Sequence, residues 1–293
     1  MSPSDRPRSP WPTVDEPIAV VGATGEQGGA VARTLLARGT PVRAIVRDPE
    51  AERARALATA GAQLVVADLT DESSLRAAFD GAPAVFAMAS PTPDGGVVAE
   101  AEHGKAIARA AAAVAVPHVV YSSVGGVERS SGIPHFESKL EVEQTLLQLG
   151  VPCAFIRPVF FMDNFVRFMA PAEEDGMIVL RLPMSGDVPL QMIAVVDVAA
   201  VSVVALLEPG RIPDGAIEIA GDELTGEQAA ATFGELRGLP ARSEELPTSV
   251  LDPDTQAMFE WFANPPAYQA DFAATRALDP QVLTFAQWLK TVV

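Results

Sequence analysis

The sequence predicts an α/β fold, a doubly wound parallel sheet with a smaller C-terminal α/β lobe, on three observations. Short apolar strands alternate with helical stretches from Ile18 to Tyr121. The run Ile18-Ala-Val-Val-Gly-Ala-Thr-Gly-Glu-Gln-Gly-Gly-Ala-Val31 passes from strand to glycine loop to helix. With 293 residues, 48% of them hydrophobic, the chain can bury a sizeable core, and no internal repeat interrupts it.

Each glycine of the opening run has a physical task. Gly22 lets the chain turn sharply out of the strand, Gly25 lets the backbone approach a pyrophosphate, and Gly28 lets the helix pack tightly on the sheet. The helix then presents free N–H groups and its positive dipole end to the phosphates. After a break at Gly39-Thr-Pro41, residues 42–46 alternate as a second strand that Arg47 closes. The residue at that place meets the adenosine ribose of a dinucleotide, where an acid suits the 2′-hydroxyl of NAD(H) and an arginine the 2′-phosphate of NADP(H). Arg47, with a planar fork that keeps its charge, favours NADP(H); Asp48 beside it keeps NAD(H) as the alternative.

Residues 49–60 read as a helix opened by Pro49, and 63–67 as a third strand ending at Asp68 and Leu69. Asp68 either accepts from an adenine amino group or begins the turn that leads to an N-cap. A helix over 72–79 and a strand over 84–88 follow. That strand leaves through a polar loop, residues 89–96 beginning with Ala89 and Ser90, on the cofactor edge, because all strands of such a sheet open toward one crevice. An alanine-rich crossover helix over 97–116 stops at Pro117, and residues 118–121 form the fifth strand.

The fifth strand leads into Ser122-Ser-Val-Gly-Gly126. The hydroxyls of Ser122 and Ser123 bond either a cofactor or substrate carbonyl, or only their own backbone. A helix from His135 to Leu149 ends at Gly150 and carries His135 and Lys139 on one face. Lys139, one of three lysines in the chain, is placed to hold both ribose hydroxyls of a nicotinamide and to lower the pKa of a nearby proton donor; the alternative is an exposed pair with Glu143. His135 either relays a proton or is the N-cap or first-turn residue of its helix. His103 and His118 read as packing residues. Further on, residues 160–169 read as an apolar helix facing the cleft, 177–182 and 191–193 as strands, and Asp197 as the cap of a buried helix to Leu207. Residues 216–219, 225–237 and 241–246 complete a small α/β lobe, and the aromatics of 258–262 fit its core.

The expected layout is a disordered tail over 1–16, a dinucleotide-binding core over 17–158 to which later segments return, and a mainly substrate- or partner-binding lobe over 159–293. The net charge of −17 argues against nucleic acid and membrane surfaces as partners. One cysteine, Cys153, and three scattered histidines give no disulfide and no metal spacing. No apolar run reaches the roughly 18 residues of a membrane span, and the N-terminus is not a signal peptide, so a reducing cytoplasm is expected.

Together, GATGEQGG, VRAIVRDP, ADLTD, VVYSSVGG, HFESKLEVEQTL and IRPVFFMDNF resemble the NmrA-like family of atypical short-chain dehydrogenase/reductases, with a weaker echo in IAVVDVAAV and TFAQWLK. The resemblance implies a Rossmann fold that usually binds NADP(H). It assigns Thr24, Gly25, Glu26, Gln27 and Gly28 to the pyrophosphate, Arg47 to the 2′-phosphate, Asp68 and Leu69 to adenine, and Lys139 to the nicotinamide ribose. Val159, Phe160 and Phe161 would line the nicotinamide end, and Asn164 the substrate cleft. The chain departs from the usual Tyr-x-x-x-Lys by carrying His135 where the tyrosine would stand. The resemblance leaves two classes: an NADPH-dependent reductase of a small conjugated acceptor such as a quinone, azo dye or enone, or a non-catalytic NADP(H) sensor that regulates a protein partner. A homodimer is compatible with either.

Overall fold

The computed structural model describes residues 16–91 and 95–293. All but residue 16 of the expected tail, and the middle of the 89–96 loop, lie outside them. The chain begins β1 (Ile18–Val20), α1 (Glu26–Ala37), β2 (Val42–Val46), α2 (Glu52–Thr59), β3 (Gln63–Val66), α3 (Glu72–Phe79), β4 (Val85–Ala87), α4 (Gly96–Ala113), β5 (Val119–Ser122), α5 (Pro134–Gln148) and β6 (Cys153–Pro158). It continues β7 (Phe160–Phe161), β8 (Ala172–Glu174), β9 (Met177–Leu182), β10 (Pro189–Ile193), α6 (Val195–Leu207), β11 (Ala216–Ile219), β12 (Asp222–Thr225), α7 (Gly226–Arg237), β13 (Ala241–Glu245), α8 (Pro253–Phe262), α9 (Phe272–Leu278) and α10 (Phe285–Val292).

Seven parallel strands form the central sheet in the order β11-β6-β5-β4-β1-β2-β3. The chain leaves β1 for β2 on one side and returns to β4 on the other, so the sheet's switch point, the usual crevice of such folds, lies at the C-terminal ends of β1 and β4. The central strands are apolar throughout because helices cover both faces: Ile18, Ala19 and Val20 are fully buried. On one face α1 packs against α6; on the other α4 packs against α5, where a Cβ on Gly104 would run into the Val142 side chain.

Four elements differ from their reading in the sequence. Pro49 lies outside α2, which opens three residues later behind Ala51. Residues 160–169 are not a helix: Phe160 and Phe161 pair with Met192 and Ile193 of β10, and a single 3₁₀ turn over Met162–Val166 closes on the Asn164 carbonyl. Aromatic residues favour a pleated edge once a partner strand is at hand. Ala216–Ile219 does not belong to the small lobe but is the outermost strand of the central sheet, beside β6. Finally, Asp197 does not cap α6. That end is held by Asp163, whose Oδ2 accepts from the Val195 N–H at 2.9 Å, while Asp197, one turn further, accepts from the Leu283 N–H at 3.0 Å.

The remaining strands make two small sheets, β12-β10-β7 and β13-β9-β8. Capping boxes at Thr225/Gln228 and Thr284/Gln287 open α7 and α10. The helices close over an aromatic core in which Phe160, Phe165, Phe259, Phe262, Phe285 and Trp288 meet largely edge to face.

Burial raises the Asp197 carboxyl from 3.8 to about 7. The folded state therefore binds a proton that the unfolded chain has released, and this contribution to stability is full below pH 3.8 and lost as pH rises through 7. Asp197→Asn, which keeps an acceptor for Leu283, is expected to raise Tm at pH 8 by roughly 3 °C or more and to raise it by less than half as much at pH 5. Thermal melts at the two pH values check this, and equal shifts at both would contradict it.

Candidate cofactor and active site

The loop between β1 and α1 is set by backbone contacts. Gly22 adopts φ +67°, and its carbonyl accepts from the Gly25 N–H at 2.8 Å. A Cβ on Gly28 would collide with the Gly22 carbonyl and lie 2.6 Å from the Val21 carbonyl oxygen, so only glycine permits this approach of helix to loop. Gly25 is the N-cap of α1 and offers no side chain to its first N–H groups. A Cβ there would meet only the Gly22 oxygen, at 3.2 Å, so its other side is open.

Charged groups surround the loop. Glu26, the first residue of α1, pairs with Arg167 at 2.6 Å and with Arg53 at 3.5 Å, and the Arg167 hydrogen bond is the first cause holding its carboxyl below the usual range. Arg53 also donates to the Thr24 carbonyl at 3.2 Å. A groove of about 320 Å³ runs beside the loop, with Arg33, Arg53 and Arg167 on its walls. Arg47 stands exposed at the end of β2 and makes no hydrogen bond or ion pair with any described residue. Asp68 lies at the adjacent strand end, since Val46 pairs with Val66. Its Oδ1 accepts from the Thr70 N–H at 2.8 Å and hydroxyl at 2.6 Å, the geometry of a turn, and Asp71 caps α3.

The other end of the crevice gathers residues from β4, β5, α4, α5 and α8. The Ser122 hydroxyl donates to Gln27 Oε1 at 2.6 Å and ties β5 to the start of α1. The Ser123 hydroxyl is buried with no partner among the described residues. Lys139 is not paired with Glu143, which instead binds Arg157 at 2.7 Å. It is 13% exposed and donates to Glu100 Oε1 at 2.7 Å and to the Ala89 carbonyl at 3.0 Å. Glu100 is 0% exposed, and its second oxygen accepts from the Ser138 hydroxyl at 2.6 Å.

His135 lies in the first turn of α5, behind the N-cap Ile133. Asp254, at the start of α8, receives both its backbone N–H at 2.9 Å and its Nδ1 at 2.7 Å. Burial, the larger influence, pulls the imidazole below its ordinary pKa, and the Asp254 charge opposes it. The three residues expected at the nicotinamide end, Val159, Phe160 and Phe161, are divided. Val159 and Phe160 are buried, the latter in the aromatic core, and Phe161 retains partial exposure. Asn164 is part-exposed in the 3₁₀ turn.

Residues 14–287 match the NmrA-like family. The chain belongs to the NmrA-like family. It is 30% identical over 287 residues to the NAD(P)H azoreductase of Xenophilus azovorans, which spans 93% of this chain and 96% of that one. Among solved structures, the NADPH-dependent quinone oxidoreductase of Escherichia coli, in complex with NADPH, superposes with a TM-score of 0.79 at 25% identity, covering 94% of this chain and 99% of that one. NmrA itself, a negative transcriptional regulator solved with NADP, superposes at 0.81 and 21% identity over 95% and 96%.

Two groups of this NmrA-like site were not singled out in its sequence. Glu100 had a signal: it falls with Gly104, Ala108 and Ala111 on the buried stripe of α4, and an acid in such a stripe calls for a partner. Asp254 had none, because it meets His135 across 119 residues of chain. In an NMR titration His135 is expected to titrate below 6.5, and Asp254→Asn to push it lower still, since the carboxylate favours the charged ring. A pKa that rises in Asp254→Asn would contradict the pairing.

Proposed function

We propose that this NmrA-like protein is an NADPH-dependent reductase of a small conjugated acceptor, of quinone, azo or enone type. The observation that carries it is the pairing of two unspent donors at opposite ends of the crevice: Arg47, which makes no hydrogen bond or ion pair among the described residues, and Lys139, which uses two of its three ammonium N–H groups on them. The uncapped α1 terminus between them fits a pyrophosphate, and the open side of Gly25 leaves room for it. Kinship with an azoreductase over nearly the whole chain, and with a quinone oxidoreductase in fold, supports the same reading.

Bound NADPH would supply the hydride. The chain's own task is to hold that cofactor and place an acceptor over it. The N–H groups of Glu26 to Gly28 would face the phosphates, Arg47 would grip the 2′-phosphate, and Lys139 would donate to the nicotinamide ribose. A carboxylate only accepts, so Asp254 fixes the proton of neutral His135 on Nδ1 and leaves Nε2 as an acceptor toward its surroundings. His135 thus orients a donor, and the proton that completes reduction comes from water. This suffices when the reduced product is a stabilised anion.

NADPH consumption over a panel of quinones, azo dyes and enones tests the reading, with turnover of at least one class expected. Tight NADPH binding without turnover on the whole panel would overturn it and match a redox sensor that reports to a protein partner. Arg47→Ala is expected to weaken NADPH binding roughly tenfold while leaving NADH binding near the parent value. An unchanged preference would remove Arg47 from the cofactor site.

A further inference from the structure

We infer that Glu100 is the positioning residue of the reactive end, the group that aims the free N–H of Lys139 into the crevice; the inference rests on the cofactor role proposed for Lys139. An ammonium has three N–H donors in tetrahedral array. Glu100 Oε1 takes one at 2.7 Å and the Ala89 carbonyl a second at 3.0 Å, so the direction of the third is fixed by those two. Without them, Lys139 has a flexible four-carbon stem whose rotamers would have to be frozen on cofactor binding.

Glu100 is itself held. Its Oε2 accepts from the Ser138 hydroxyl at 2.6 Å, and the same hydroxyl lies 3.0 Å from the His135 carbonyl in the first turn of α5. The carboxylate thereby fastens α4 to two successive residues of α5. Its partners lie on both sides of the 89–96 loop: Ala89 at its entry, through Lys139, and Glu100 itself on the helix that begins at its exit.

Stability alone does not account for the arrangement. A largely buried ion pair is generally no better than apolar packing of the same volume, since its charges lose most of their water. The pair also adds no net charge to the crevice. Lys139 therefore works by where its hydrogen bond points, and the positive field expected of it in the sequence is cancelled at 2.7 Å.

Three variants test this: Glu100→Gln, Glu100→Asp and Lys139→Met, with the Glu100→Gln/Lys139→Met double variant. The measurements are NADPH Kd from nicotinamide fluorescence, kcat, acceptor KM, and Tm of the free protein. Lys139→Met is expected to raise NADPH Kd about tenfold, and either Glu100 variant about three- to tenfold with acceptor KM unchanged. The double variant should bind NADPH no more weakly than Lys139→Met alone, because Glu100 acts through the lysine. Glu100→Asp keeps the charge and withdraws it by one methylene. Parental Kd and kcat in Glu100→Asp would overturn positioning, and so would a double variant losing the product of the two single effects. Parental Kd and kcat in Lys139→Met would instead remove Lys139 from the proposed function and this inference with it. If Glu100→Gln does not fold, Glu100→Asp and its double variant with Lys139→Met carry the same comparisons.

Discussion

The approach of α1 to the turn after β1 is the constraint on which the rest of the molecule depends. With no Cβ at Gly28, the helix comes within contact of the Gly22 and Val21 carbonyls and rises directly from the centre of the sheet. Its other face then meets α6, whose all-round apolar sequence buries nearly every residue between α1 and the strands. The uncapped terminus of α1 is left at the switch point, beside the strand ends that carry Arg47, Ala89 and Ser123. One glycine contact thus fixes the direction of a helix dipole and the shape of a crevice together.

The small lobe is fastened to this frame by polar contacts as well as by its aromatic core. Asp163 holds the start of α6, and Asp254 holds His135. Arg167 reaches the phosphate loop through Glu26, across 141 residues of chain. The last pair is 43% exposed on both sides and contributes at most about 1 kcal/mol. The part-buried Asp254–His135 and Asp163–Val195 contacts are harder to break, because each is better shielded from water and leaves a polar group without its partner.

The central sheet was legible in the sequence because its signals are local. Apolar runs of strand length, glycines at a fixed spacing and Asp71 before α3 each report on a few neighbouring residues. Phe160 and Phe161 show where that reading fails: their apolar pattern suits a helix or a strand, and β10, some thirty residues away, decides between them. The same holds for Asp197 and Asp163, two acids near one helix start whose roles are exchanged by the position of Leu283. In the site, the ends were legible and the links between them were not. Arg47 and Lys139 follow from their distance along the chain from strands, whereas Glu100, Asp254 and the Ser122–Gln27 bond exist only once helices are packed.

The acid that this site lacks narrows its chemistry. The chain holds two tyrosines, and neither stands where the tyrosine of Tyr-x-x-x-Lys would. Tyr121 is fully buried on β5, where desolvation and the nearby charges of Glu100 and Glu143 push its phenol well above the ordinary value. Tyr268 packs among Phe136, Trp261 and Phe262 and is likewise pushed up by burial. An alcohol or ketone substrate needs such a group to give or take the hydroxyl proton as hydride moves. With the tyrosine replaced by an imidazole held neutral, and the lysine charge balanced by Glu100, the pocket offers orientation and hydrogen bonds but no strong acid. Under the proposed reading, this selects acceptors that stabilise their own negative charge by conjugation, and disfavours simple carbonyl compounds whose alkoxide would have to be protonated as it forms.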